Sequence, residues 1–297
     1  MDIKFDFVIA GAQKCGTTSL YHYLSQVEGI QLPTIKEIPY FCNDDLFGND
    51  ISFNEYFSEL SIDTKDLLGF AYVNVMTFAE KSVRRIGNQK HTKYILMLRE
   101  PKERIVSAYN YAIQRGWETE LEPEKAFCLD RAQNFNEYWE YANLTYVEHS
   151  LYGKLVSEMT KQIPADNILC ISFNYFKQNP QQATQDVLNF LNANGSISRV
   201  EFKIHNKARA TRFKSLQKLI MRDNPLKKLY QSVMPRSLKL KLNRMLVRPL
   251  EEWNLSSSGN SVASNKEKLL AELDRYDDLF ERDAKVFQSL AVRKAGF

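Results

Sequence analysis

Cysteine is sparse in this chain. Cys15, Cys42, Cys128 and Cys170 are the only four in 297 residues, and none forms a CxxC pair. That scatter argues against a zinc site and reads as reduced thiols of a cytoplasmic protein. Long apolar runs are also missing. No stretch approaches the ~18 apolar residues of a membrane-crossing helix, and the opening MDIKFDFVIAGA has no long apolar core of the signal-peptide kind. The expectation is therefore no transmembrane segment and no signal peptide. Charge of one sign is not in large excess. Forty Lys and Arg stand against 36 Asp and Glu, so the net charge of +4 makes no case for nucleic acid. Internal repeats and low-complexity tracts are absent. What is present is ordinary globular composition, 44% hydrophobic and 26% charged, in a chain long enough for a sizeable core.

Charge is uneven along the chain. Fifteen Lys and Arg lie between Arg199 and Arg248 against two acids, Glu201 and Asp223. This is either a solvated basic face or a surface that draws an anionic ligand or the surface of a membrane. Elsewhere short apolar runs alternate with helical patterns, which predicts an α/β fold with a parallel sheet covered by helices. Strands are expected over residues 5–10, 67–75, 94–98 and 168–173. Helices are expected over 18–26, 78–86, 101–114, most of 135–161, 180–191 and 266–290. Pro101 suits the first turn of its helix. Phe213, Leu216, Leu219 and Ile220 predict one more, amphipathic helix in the basic stretch. Residues 118–134 read as an irregular, mobile connection and 253–265 as a polar linker.

The first strand runs into FVIAGAQKCGTTSLYHYL, residues 7–24. Strand, glycine-bearing turn and helix start make an anion site, because the first N–H groups of a helix point outward and its dipole favours negative charge. Gly11 and Gly16 let a ligand approach the backbone, Thr17, Thr18 and Ser19 add hydroxyls, and Lys14 adds a point charge. The nucleotide-triphosphate loop G-x-x-x-x-G-K-[ST] would place a lysine where Thr17 stands, which weakens a kinase reading.

The run Gln13-Lys14-Cys15-Gly16-Thr17-Thr18-Ser19 resembles the 5′-phosphosulfate loop of the sulfotransferases that use 3′-phosphoadenosine 5′-phosphosulfate, written QKxGTT plus a hydroxyl residue. The second signature of that family, R-x-P-x-x-R-x-x-S-x-Y, is matched by Arg99, Pro101, Arg104, Ser107 and Tyr109. The resemblance implies that Lys14, Cys15, Gly16, Thr17, Thr18 and Ser19 bind the donor's 5′-phosphosulfate, and that Arg99 and Ser107 bind its 3′-phosphate. Read without it, Arg99 is a surface ion pair with Glu100 or Glu103, and Ser107 a helix serine facing solvent. The segment PTIKEIPYF, residues 33–41, resembles the stretch that carries the basic glutamate in the glycan-modifying branch, heparan sulfotransferases included. That implies Glu37 as catalytic base, with Lys36 beside it able to contact donor or acceptor; the alternative is two solvated loop charges. His205 is the second choice of base among His22, His91, His149 and His205.

The chain departs from the family at residues 69–74, where Gly69-Phe70-Ala71-Tyr72-Val73-Asn74 stands in place of a Gly-Glu-Lys-Ser-type stretch. Residues 207–212, with Arg209, stand in for the late loop over the 3′-phosphate. The resemblance implies a three-layer α/β/α fold like that of P-loop nucleotide-binding proteins. It implies one sulfotransferase domain over 1–297, with the basic segment 199–250 and the last helix as appendages. It further implies sulfuryl transfer to a hydroxyl, or less readily an amine, of a small molecule, sugar or lipid, with 3′-phosphoadenosine 5′-phosphate as product and no metal. Trp117, Glu118 and Glu120 are candidates to receive the acceptor, or else form a polar loop with one packed Trp. Two other readings stand beside this one, a small-molecule kinase using ATP and a non-catalytic protein binding anions or a membrane surface. Nothing in the chain speaks to oligomeric state.

Overall fold

Strands buried on both faces read as unbroken apolar runs, and FVIAG and KYILML are of that kind. In the computed structural model they form β1 (Phe7–Gly11) and β4 (Lys93–Leu98) at the centre of a six-stranded sheet. The structure describes residues 3–60, 66–87, 90–203, 210–211, 245, 250, 255–256 and 266–297. These form two compact units, one drawn from Met1–Arg104, Val147–His205 and Asp274–Phe297, the other from Ile105–Tyr146 and Asn206–Leu273.

The first unit holds the sheet. In chain order its elements are β1, α1 (Thr17–Leu24), β2 (Ile30–Gln31), α2 (Asp50–Phe57), β3 (Leu67–Ala71), α3 (Ala79–Ile86), β4 and the start of α4 (Pro101–Gln114). The remainder of α4, α5 (Pro123–Ala126) and α6 (Tyr138–Leu144) belong to the second unit. The chain re-enters the first unit with α7 (Tyr152–Thr160), β5 (Ile168–Ser172), α8 (Phe173–Gln178) and α9 (Pro180–Leu191). In the second unit β6 (Ala210–Thr211) pairs antiparallel with β7 (Leu255–Ser256), and α10 (Lys266–Glu272) follows. The first unit closes with α11 (Asp277–Ser289) and β8 (Arg293–Ala295).

Strand order is β2-β3-β1-β4-β5-β8, parallel at every pair. Val8 lies between Phe70 on β3 and Tyr94 on β4. A parallel sheet with helical crossovers puts all strand C-termini on one edge, the ligand edge of open α/β sheets. An aromatic cluster fills the space beside β1 and β3. The rings of Phe5, Phe41, Phe57 and Phe70 meet with centroids 4.9–5.9 Å apart.

Several expected boundaries move. The strand expected over 67–75 stops at Ala71, because the chain turns across the end of β1 with Tyr72 N–H donating to Ile9 O and Met76 N–H to Ala10 O. The helix expected through 135–161 breaks after Leu144. Thr145 is extended and Tyr146 turns inward to donate to Glu118 at 2.8 Å. The connection over 118–134 carries α5 and a 3₁₀ turn at Leu129–Asn134, tied down by Arg131. The last helix is interrupted at Asp274–Tyr276, where Lys102 draws in Asp274 and Asp277 at 2.7 and 2.5 Å. The amphipathic helix read from Phe213 to Ile220 lies outside the described residues. Among the described residues no helix is long and apolar enough to cross a membrane.

One buried histidine sets an acid limit on stability. Arg104 is 1% exposed and donates from Nε to Ser150 Oγ at 2.6 Å. His149 is buried beside it. Burial, then the charges of Arg104 and Lys154, push its imidazole from 6.5 down to about 3. The unfolded chain therefore takes up a proton that the folded chain refuses. The stability that the neutral imidazole contributes is complete above about pH 6.5 and is lost as pH falls toward about 3, by up to about 1.4 kcal/mol per pH unit. His149→Gln should flatten that limb, and urea midpoints of both proteins at pH 7 and pH 5 measure it.

Candidate active site

The loop after β1 is shaped by two residues in left-handed conformation, Lys14 (φ 68°) and Gly16 (φ 86°). Gly16 is required twice over. Its φ disfavours any side chain, and a Cβ there would lie 3.0 and 3.1 Å from two ring atoms of Phe173. Gly16 O accepts from the N–H groups of Ser19 and Leu20, which starts α1, and no side chain caps that helix. An uncapped helix start of this kind favours an anion. The loop residues do not all face outward. Cys15 is fully buried with Sγ 4.0 Å from Tyr152 Oη, and burial raises its thiol pKa. Cys15 can therefore offer a ligand only its backbone. Thr17 and Ser19 are buried, while Lys14 and Thr18 are half-buried.

Arg99 stands at the end of β4. Its Nε and Nη2 donate to Glu103 Oε2 at 3.2 and 2.9 Å, and its guanidinium lies 5.0 Å from the centroid of the Phe173 ring. The ion-pair partner raised from sequence is thus present, and it is Glu103. Glu100 does other work, capping α4 by accepting from Lys102 N–H and Glu103 N–H at 3.1 and 2.7 Å. Phe173 touches both the Gly16 side of the loop and Arg99, and sequence reasoning missed it. The signal was its place as the first residue after the apolar run ILCIS, at the C-terminal edge of the strand next to β4. Ser107 is half-buried on the part of α4 that belongs to the second unit. Arg104, which fits the same motif, is a core residue.

Glu37 is clipped to the end of β3 through a parallel bridge with Ala71, in which Ile38 N–H donates to Ala71 O at 3.1 Å. Its Oε2 accepts from Val73 N–H at 3.3 Å, and its Oε1 is ion-paired with Lys36 Nζ. Lys36 Nζ also donates to Thr17 Oγ1 at 3.3 Å. The side chain of Glu37 is 46% exposed, so an approaching group can reach it. Tyr21 is nearby, and burial, then the charges of Glu59 and Glu37, push its phenol up to about 12. It stays protonated.

Other candidates fall elsewhere. His22 is half-buried, His91 is exposed and His149 is in the core. His205 and Arg209 lie outside the described residues. Glu118 is corrected as an acceptor contact. Its carboxylate is 0% exposed, holds Arg131 at 2.7 and 2.8 Å and accepts from Tyr146 at 2.8 Å. Burial alone would raise its pKa, but Arg131, the Glu120 N–H and Tyr146 outweigh that and lower it. Trp117 packs edge-on against Tyr111 and Trp139, with centroids 5.4 and 5.6 Å away.

A family model described as the sulfotransferase domain matches residues 4–228. The chain belongs to the sulfotransferase family. A sulfotransferase from Alicyclobacillus acidocaldarius has a similar fold, with TM-score 0.55 and 24% identity over 68% of this chain and 86% of that one. Mouse sulfotransferase SULT7A1 complexed with PAP aligns with TM-score 0.46 and 15% identity over 96% and 88% of the two chains. The membrane-associated sulfotransferase kil1 of Dictyostelium discoideum is 32% identical over 111 residues, 37% of this chain. That match spans about a quarter (23%) of the length of the Dictyostelium protein. Residues 4–228, matched by the family model, contain the loop, Glu37 and Arg99.

Because Gly16 combines a left-handed φ with the Phe173 ring at contact, Gly16→Ala should cost about 1–3 kcal/mol of stability. A urea melt against the parent chain measures it, with Gly29→Ala as control. Gly29 also has positive φ, but nothing within 4 Å of its Cβ position.

Proposed function

We propose that the chain transfers a sulfuryl group from 3′-phosphoadenosine 5′-phosphosulfate to a hydroxyl, or less readily an amine, of a sugar, small-molecule or lipid acceptor. One observation carries the reading. The anion loop and the Glu37 carboxylate are joined through a single side chain, Lys36, which bonds Thr17 on one side and Glu37 on the other. A proton acceptor tied to a phosphate cradle suits group transfer to a hydroxyl better than anion storage. The cradle fits a phosphate, since α1 is uncapped by any side chain and Lys14 and Gly16 turn the loop through left-handed φ.

When bound, the donor supplies a sulfuryl group whose bond to the 5′-phosphate oxygen breaks as the acceptor oxygen bonds to sulfur. The N–H groups at the start of α1 and the ammonium of Lys14 hold the 5′-phosphate and stabilise the charge that builds there, a preorganised electrostatic effect. Cys15, Gly16 and Thr17 contribute backbone to that cradle, and Thr18 and Ser19 complete the turn. Arg99 binds the 3′-phosphate through its planar fork, kept extended by Glu103, and Ser107 adds a hydroxyl. Arg209, outside the described residues, keeps only the assignment that the family resemblance gives it, the late loop over the 3′-phosphate. Glu37 takes the acceptor's proton on a carboxylate oxygen. No metal enters this mechanism. The reading takes the chain as cytoplasmic, with contact at a membrane surface open to it; the Dictyostelium relative is named membrane-associated.

Calorimetric titration with 3′-phosphoadenosine 5′-phosphate in buffer containing a chelator should show micromolar binding, weakened about 10–100-fold by Arg99→Ala. Binding of magnesium-ATP and not of the bisphosphate would make the protein a kinase. With labelled donor and an acceptor found by screening, Glu37→Gln should lower turnover about 10²–10⁴-fold while the bisphosphate still binds. Unchanged turnover would remove Glu37 as the base.

A further inference from the structure

The loop carries Thr17 where nucleotide-triphosphate loops carry lysine, and the fold brings an ammonium to that position from another segment. Lys36 lies in the stretch between β2 and α2. Its Nζ donates to Thr17 Oγ1 at 3.3 Å, and the same atom is ion-paired with Glu37 Oε1. The Lys36 side chain is 13% exposed and Thr17 is buried, so the charge is held between two partners rather than waving in water. The second oxygen of Glu37 is engaged by Val73 N–H. Both oxygens of the carboxylate therefore have partners.

A lysine ammonium is a compact point charge on a flexible stem, and it follows the stronger anion within reach. A phosphate resting beside Thr17 presents more negative charge than one carboxylate. We infer that Lys36 is a positioning residue that divides its charge between the donor loop and Glu37. With the loop empty it occupies Glu37 Oε1. With a phosphate bound it turns to the phosphate, which frees that oxygen to accept the acceptor's hydroxyl proton. The base is thereby coupled to the presence of donor. This rests on the reading of the loop as donor site and of Glu37 as base.

The coupling is tested without any acceptor, by calorimetric titration of the full chain with 3′-phosphoadenosine 5′-phosphate across a double-mutant cycle. Lys36→Met should weaken binding about tenfold, the scale of one charged hydrogen bond. Glu37→Gln should tighten it about threefold by releasing Lys36. On the Lys36→Met background, Glu37→Gln should give no tightening. Lys36→Arg, which keeps the charge, should stay within about threefold of the parent chain. Melting midpoints accompany each titration, and Lys36→Gln replaces Lys36→Met should the latter unfold. Equal tightening by Glu37→Gln with and without Lys36 would mean simple charge repulsion and overturn the coupling, as would unchanged affinity in Lys36→Met. If the parent chain does not bind the bisphosphate, the donor reading fails first and the coupling falls with it.

Discussion

The parallel ladder β3-β1-β4-β5 is the constraint on which the site depends. Each strand is buried on both faces, so a shift in register would misfit the side chains packed above and below it. With the registers set, the strand ends are set too. Gly11 ends β1, Arg99 follows β4, Phe173 follows β5, and Glu37 is clipped beside Ala71 at the end of β3. Four stretches far apart in sequence therefore arrive on one edge. The chemistry is assembled by backbone hydrogen bonds before any side chain contributes.

Phe173 then organises what the ladder brings together. Its ring fills the space a Cβ at Gly16 would need, and it carries the Arg99 guanidinium on its face. An aromatic ring in contact with both elements keeps the guanidinium extended without satisfying its hydrogen bonds. Glu103 takes those bonds, so ring and carboxylate together order the Arg99 side chain.

Charged groups in this protein sort by what surrounds them. Arg104 and the Glu118–Arg131 pair are buried and hydrogen-bonded to neighbours in their own units, and removal of one partner would leave an uncompensated charge in the core. Lys36, Glu37 and Arg99 instead stand beside strand ends of the first unit, where Lys36 and Arg99 are half-buried and Glu37 is exposed. Motif position alone does not separate the two groups. Arg99 and Arg104 belong to the same signature, yet one reaches the strand edge and the other is a core residue.

Much was legible in the sequence because it is local. The alternation of apolar runs with helical patterns marked β1, β4, β5, α4 and α9 to within a residue or two, and the glycine spacing with its displaced lysine marked the loop. Pro101 marked the start of α4. The breaks in the helices at Thr145 and Asp274 were not legible, because they answer to Glu118 and Lys102, partners distant in the chain. Nor was the role of Phe173, or the inward turn of Glu118, since neither has a periodic or spacing signature. Which charge Lys36 meets was decided by tertiary structure alone. Sequence placed it next to Glu37, but only the fold carried Thr17 to its other side, because a bond between residues nineteen apart exists only once the sheet has brought their segments together.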